Sequence, residues 1–332
     1  MQLFDCTLRD GGNVLGNGFP RELTTMMLEG LLANNIRLIE FGNAYGIGAY
    51  EADGKTAPMT DAEYLELAQP YLARGEIGMF VGVKNAVERN VALAAEKGLK
   101  FLRLGANAGD GASTKEGIAL IRKYGMTPHY SLMKGYILGA KELAAEARML
   151  EGWGLGAITI MDSAGTMAPV EVEEYVTELV QAVSIPVGFH GHNNLGLSVA
   201  NAIAAEKSGA AILDCGLMGM ARSAGNLATE LAVAVFHRMG KEKTVNFMGL
   251  LEFIDSQLAP TMKKHGYTAS VTPEDLVLGY SGCHSNFLEL FREVAKSAGV
   301  NLYQLIIEVS AKNRKNPSRK EMEEFAEKLA KT

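Results

Sequence analysis

The chain has 332 residues, 48% hydrophobic and 21% charged, a composition that suits one large domain with an appendage. Its net charge of −6 argues against nucleic acid or an anionic membrane as partner. No apolar run approaches the ~20 residues that span a bilayer, no secretory leader precedes the first strand-like segment, and the three dispersed cysteines read as reduced thiols, so a cytoplasmic protein is expected.

Strand-like runs recur along the chain, at 2–7, 37–42, 78–83, 101–105, 127–133, 157–161, 187–190 and 211–215. Between them lie segments with helical periodicity, among them 85–97, 114–124, 140–153, 169–183 and 197–207. Strand and helix alternating eight times in about 240 residues predicts a (β/α)8 TIM barrel. The competing arrangement is an open doubly wound sheet. No G-x-G-x-x-G follows the first strand, and the even spacing favours closure. A helical run covers 227–239. From about residue 241 the pattern is mainly helical (250–265, 283–298, 302–309 and 318–331), which predicts a barrel domain over 1–240 and a C-terminal helical domain over 241–332.

Barrel strands are buried on both faces, so polar residues at strand C-termini carry the information, because chemistry sits at that end. The first strand leads into Thr7-Leu8-Arg9-Asp10-Gly11-Gly12 and the second into Glu40-Phe41-Gly42-Asn43. Arg103 and Asn107 mark the fourth, His129 to Lys134 the fifth, Asp162 and Ser163 the sixth, and Asp214 the eighth. The seventh ends in His190-Gly191-His192-Asn193, and residues i and i+2 of a strand share a face. Two imidazoles on one face are half of a metal site, or a pair of hydrogen-bonded strand-end residues.

The Thr7-Leu8-Arg9-Asp10-Gly11 motif together with His190-x-His192-Asn193-Asn194-Leu195-Gly196 resembles the DRE-TIM metallolyases, the HMGL-like superfamily of lyases, acyl-transferring synthases and pyruvate aldolases. Within it the chain is most similar to the 4-hydroxy-2-oxovalerate aldolases. Met161-Asp162-Ser163-Ala164-Gly165, the segments 190–200 and 219–226, and Gly279-Tyr280-Ser281-Gly282-Cys283-His284-Ser285-Asn286-Phe287 carry that likeness. The last segment makes the C-terminal domain resemble the communication domain of those aldolases.

The resemblance implies a divalent metal, Mn²⁺ or Mg²⁺, held by Asp10, His190 and His192, with Asn226 at the place of a fourth ligand. It implies that Arg9, Asp10, Ser163 and His190 face a small 2-oxo acid. It implies cleavage, or formation, of a 4-hydroxy-2-oxo acid to pyruvate and an aldehyde through an enolate. A carboxylate and two neutral imidazoles suit such an ion. Arg9, always charged, suits an oxygen that becomes negative. The family further implies an acylating aldehyde dehydrogenase as partner, and self-association.

Two positions depart from the family pattern. Asn13 stands where the aldolases carry a histidine base, and His284 stands where they carry a tyrosine. His284 is therefore the expected general base, against a plain polar role, with Tyr280 or a metal-activated hydroxide as alternatives. Arg222 replaces a small residue, either as a surface cation or as a receiver for a second carboxylate or phosphate. Glu40 is read as a partner of Arg9 or of a metal ligand, or as a structural ion pair. Asp5 and Asp214 are read as barrel-interior hydrogen bonders, Cys215 and Cys283 as packing, and 46–50 as a flexible loop near the site. Competing functions are another carbon–carbon lyase or acyl-CoA synthase on the same scaffold, or a catalytically weakened partner-binding protein. The segment 220–225 lacks the Gly-Glu-Arg of the synthases.

Overall fold

The computed structural model describes residues 1–50, 57–270, 272–283, 287–313 and 316–331. Two compact units divide the chain, Met1–Ala232 and Val233–Thr332. Sequence patterning alone draws that division after residue 240.

In the first unit eight parallel strands close on themselves in chain order. They are β1 (Gln2–Asp5), β2 (Leu38–Phe41), β3 (Glu76–Gly82), β4 (Phe101–Asn107), β5 (Thr127–Met133), β6 (Ala157–Asp162), β7 (Val187–Gly191) and β8 (Ile212–Cys215). Closure is made by β1 against β8, with Phe4 opposite Asp214 and Asp5 opposite Cys215. The connecting helices are α1 (Arg21–Ala33), α2 (Asp61–Ala68), α3 (Glu88–Glu96), α4 (Lys115–Lys123), α5 (Ala140–Glu151), α6 (Pro169–Ala182) and α7 (Ser198–Lys207), and α8 (Thr229–Arg238) follows β8. Local chemistry sets their starts. Thr60 and Glu63 form a reciprocal cap on α2, and Pro169, which has no N–H to satisfy, opens α6.

The barrel interior is layered. Near the strand starts Phe4, Leu38, Phe101, Ala157 and Ile212 form an apolar plug, and His129 stacks flat on Phe101 at 4.5 Å. His129 therefore sits at the N-terminal end of β5, away from the strand end where sequence order had placed it. Burial, and Arg103 nearby, push its pKa down to about 4, which keeps it neutral. Two residues further along β1, β2, β4 and β8 the inward positions are Cys6, Glu40, Arg103 and Asp214, all fully or almost fully buried. A period-two step thus exchanges hydrocarbon for charge inside one barrel.

The second unit is helical. α9 (Phe247–Phe253) runs through a π turn at Ile254–Leu258 into α10 (Ala259–Lys264). Pro260 explains the widened turn, because it has no N–H to donate backwards and its ring crowds the preceding carbonyls. α11 (Pro273–Ser281), α12 (Leu288–Ala298), α13 (Leu302–Lys312) and α14 (Arg319–Leu329) follow. The single helix expected over 283–298 therefore begins later, and α11 was not anticipated. Among the described residues no helix is long and apolar enough to cross a membrane.

Candidate metal centre

β1 delivers the acidic member. After Asp5 the chain curls so that the Cys6 carbonyl accepts from the amides of Arg9, Asp10 and Gly11 at 3.1, 2.8 and 3.3 Å. Arg9 and Asp10 then stand at the C-terminal mouth, 7% and 2% exposed. The turn needs its glycines. A Cβ at Gly11 would lie 3.2 Å from the Met220 carbonyl oxygen, and one at Gly12 would lie 2.8 Å from the Cα of Gly18. Asn13 donates from Nδ2 to the Asp10 carbonyl at 2.8 Å and to its carboxylate at 3.3 Å. It braces the acid and has no basic nitrogen to accept a proton.

β7 delivers the imidazoles. His190 Nε2 lies 3.7 Å and His192 Nε2 3.8 Å from Asp10 Oδ2, and the three ligand atoms lie within 4.8 Å of one another. Asn226 pairs its backbone with His192 and donates from Nδ2 to Asp10 Oδ2 at 2.8 Å. Among the described residues its Oδ1 is buried and has no partner, and neither has His192 Nδ1. Gly165, at φ +60°, lets the turn after β6 pass against His192, where a Cβ would lie 2.6 Å from the His192 carbonyl oxygen.

Beneath these groups the charged interior layer closes a ring. Arg9 Nε donates to Glu40 at 2.6 Å, and Glu40 lies 3.7 Å from Arg103. Arg103 reaches Asp214 at 2.7 Å, and Asp214 lies 3.0 Å from His190 Nδ1. His190 and Arg9 both return to Asp10, Arg9 at 3.0 Å. Asp214 as acceptor fixes the proton of His190 on Nδ1 and leaves Nε2 with its lone pair toward Asp10, the orientation a metal-ligating histidine takes from a carboxylate behind it. Burial opposes ionisation of Asp10, yet Arg9 and the two histidines hold it well below the usual carboxylate range. Burial likewise opposes charge on Asp214, and Arg103 outweighs it, so its pKa is lowered. Burial and His190 push His192 down to about 4, so it is neutral at pH 7. Cys6 also lies beside His190 and Asp214. Burial holds its thiol well above its usual range, so it stays protonated and is a poor ligand.

The residues fit a divalent ion. Ligands about 2.1 Å from an octahedral cation are about 3 Å apart when adjacent and about 4 Å when opposite, close to the spacings around Asp10. A carboxylate oxygen, two imidazole nitrogens and an amide oxygen form a hard-to-borderline donor set.

The HMGL-like family model matches residues 1–256. A 4-hydroxy-2-oxovalerate aldolase of Desulfitobacterium hafniense is 30% identical over 309 residues, 93% of this chain and 92% of its own. The chain belongs to the HMGL-like family. A 4-hydroxy-2-oxovalerate aldolase of Rhodococcus jostii is 30% identical over 307 residues, 92% of this chain and 89% of its own. Among solved structures, the HMG-CoA lyase of Bacillus subtilis superposes with a TM-score of 0.66 at 17% identity, over 81% of this chain and 95% of that one. The carboxyl transferase domain of Rhizobium etli pyruvate carboxylase gives 0.70 at 15% identity, over 99% and 60%. At such identities these two likenesses establish the fold alone.

In this HMGL-like barrel the ligand set opens into a cleft of about 360 Å³ that also takes in Ser163, Tyr45, Phe80, Met133, Lys134 and Arg222. Ser163 Oγ accepts from the Lys134 amide at 3.0 Å. Lys134 itself sits at φ +55°, left-handed, a conformation that costs a non-glycine residue about 1–2 kcal/mol. Arg222 lines the mouth with its guanidinium carbon 5.6 Å from the Tyr45 ring centroid. A wider cleft of about 640 Å³ opens at the opposite barrel end, around Gln2, Thr127 and His129, and includes none of the candidate ligands.

The structure bears on several single-residue readings. Asp214 makes the interior contacts expected of it, to Arg103, and also meets His190 Nδ1. Glu40 contacts Arg9, one of the two partners expected for it. Asp162 accepts from the Thr166 and Met167 amides and so caps a turn. The 46–50 segment is pinned rather than flexible: Ile47 N donates to the Phe80 carbonyl at 2.9 Å, Gly48 N donates to Asp61 at 2.7 Å, and Ile47 is fully buried. Asp5 does accept within the barrel, from Thr7 N and Thr229 Oγ1. His284 lies outside the described residues, and Tyr280 packs on Phe247 with ring centroids 4.9 Å apart.

Proposed function

We propose that this chain is a divalent-metal-dependent aldolase that cleaves a 4-hydroxy-2-oxo acid to pyruvate and an aldehyde, or joins them. The observation that carries this reading is the meeting of Asp10, His190 and His192 with Arg9 at the mouth of an HMGL-like barrel whose relatives include enzymes named 4-hydroxy-2-oxovalerate aldolase. Asp10, His190, His192 and the Oδ1 of Asn226 would hold the ion, manganese or magnesium. When bound, such an ion supplies Lewis-acid polarisation of the 2-oxo group.

The chain's own residues supply the rest. Arg9 spends Nε on Glu40 and one Nη1 donor on Asp10, which leaves Nη2 to donate to the 2-oxo oxygen as it gains charge. Its two carboxylate partners and the Phe80 ring, 5.2 Å away, hold the guanidinium still. Ser163 and His190 line the space beside it. In cleavage a base takes the C4 hydroxyl proton, the C3–C4 bond breaks, the aldehyde departs, and the electron pair moves into the three-carbon fragment, which then takes a proton at C3. Asn13 cannot serve as that base. The base proposed is His284, on its place in the sequence motif. The same family relation supports, as further proposals, a homo-oligomer and an acylating aldehyde dehydrogenase as partner.

Pyruvate in D₂O with purified protein and Mn²⁺ is the direct test. Its methyl protons should exchange with solvent, and EDTA should stop the exchange. Failure to exchange with any divalent ion refutes the aldolase reading.

A further inference from the structure

Among the described residues three cations line the cleft, Arg9, Lys134 and Arg222, against a single carboxylate, Asp10. The chain as a whole carries −6, so this surplus is local. Arg9 is matched by Asp10 and Glu40. Among the described residues neither Lys134 nor Arg222 has a carboxylate at ion-pair distance. The carboxylate of a 2-oxo acid answers the charge at the ligand set and leaves these two cations for the remainder of the substrate.

The main chain that carries each of them is anchored by hydrogen bonds. The Arg222 loop is tied to the turn after β7 by Asn193 N to the Gly225 carbonyl at 2.8 Å and by Asn194 Nδ2 to Ser223 Oγ at 2.7 Å. Lys134 is tied to the turn after β6 through Ser163. Each anchor belongs to a turn next to the candidate ligands, so the main chain that carries the two cations is registered to them. The same cleft is lined by the apolar side chains of Ala44, Phe80, Met133 and Met161. That suits a short hydrocarbon spacer with a charge at its far end.

Building on the aldolase reading, we infer that the aldehyde half of the substrate ends in an anionic group, a carboxylate or a phosphate, received by Arg222 and Lys134. These two residues set specificity and take no part in bond cleavage.

The test compares kcat/KM for pyruvate addition to succinic semialdehyde, glyceraldehyde 3-phosphate and neutral pentanal. A charge-assisted contact gives a preference of about 10–100-fold for one of the anionic aldehydes, and the better of the two identifies the anion. Arg222→Ala and Lys134→Ala should each cut the anionic-to-neutral ratio by about tenfold or more, and Arg222→Lys should keep part of it. The ratio is taken within each variant, so a general loss of fold cancels. No preference in the wild type, or a ratio that neither substitution moves, overturns the inference. A second measurement needs no turnover: calorimetric binding of 2-oxoadipate against 2-oxohexanoate to the Mn²⁺-loaded protein. Tighter binding of the diacid, lost in Arg222→Ala, supports the cation pair; equal affinity overturns it. If pyruvate does not exchange and no aldehyde reacts, the aldolase reading falls by itself, and the diacid comparison still decides the cations.

Discussion

Arg103→Met tests the charged ring directly. Arg103 is fully buried, 2.7 Å from Asp214 and 3.7 Å from Glu40, with its guanidinium 4.6 Å from the centroid of Phe4. Methionine fills similar space but leaves Glu40 with Arg9 alone and removes the guanidinium from Asp214. Breaking a buried ion pair from one side costs about 3–5 kcal/mol. For a unit of this size that lowers the melting temperature by roughly 6–20 °C. Asp214 can limit the loss by taking up a proton, since burial already opposes its charge. A protonated Asp214 no longer fixes the His190 tautomer, so Mn²⁺ affinity should fall about 10–100-fold, the usual effect of losing the group behind a ligating histidine. The assays are differential scanning calorimetry of the metal-free protein and Mn²⁺ titration followed by electron paramagnetic resonance. The double variant Arg103→Met, Asp214→Leu removes both unpaired partners. It should regain much of the stability without regaining the affinity. A single variant that melts within about 2 °C of the wild type and binds Mn²⁺ equally well would refute the reasoning.

The remaining predictions are simpler. If Asp10, His190 and His192 hold the ion as a set, His190→Ala should abolish stoichiometric Mn²⁺ binding, and a retained equivalent of metal would overturn the ligand assignment. Glu230 is buried against the Met218 amide, and burial pushes its pKa up to about 7; burial raises Asp5 to about 6. The folded state thus holds protons that the unfolded chain has released, and stability should fall as pH rises from about 4 to about 7, by up to about 3 kcal/mol for Glu230. Glu230→Gln keeps an acceptor for that amide and should flatten this slope and melt higher at pH 8; an unchanged profile would show that the group does not titrate in this window. His284→Ala should slow cleavage by about 10²–10⁴-fold with metal content intact if His284 is the base, and normal turnover would end that assignment.

Much of this architecture was legible beforehand because a parallel barrel strand is buried on both faces and shows as a short apolar run between helical segments. All eight strands announced themselves this way, and the two-residue spacing of His190 and His192 placed both rings on one face whatever the rest of the fold did. Asp10 was legible because a glycine-ended turn follows a short strand. The C-terminal helices were harder to bound. A proline inside one apolar run produced a π turn rather than a break, and the helix at 273–281 has only weak amphipathic patterning.

One-dimensional order cannot show which residues meet across a closed cylinder. Glu40, Arg103 and Asp214 come from strands far apart in sequence, and each alone reads as an isolated polar residue in an apolar run. Only barrel closure, with β1 registered on β8, turns them into one ion network and makes Asp214 the residue that orients His190. The same holds for Arg222, whose loop is fixed by hydrogen bonds to the turn after β7, and for His129, whose place in its strand puts it at the end away from the ligands. The sequence by itself therefore determined the barrel, through local periodicity, and pointed to the candidate donors, through the spacing of His190 and His192 and the motif around Asp10. The tertiary structure decided how those candidate donors are braced and which charges line the cleft beside them, because side chains remote in sequence take up partners only when the sheet has closed.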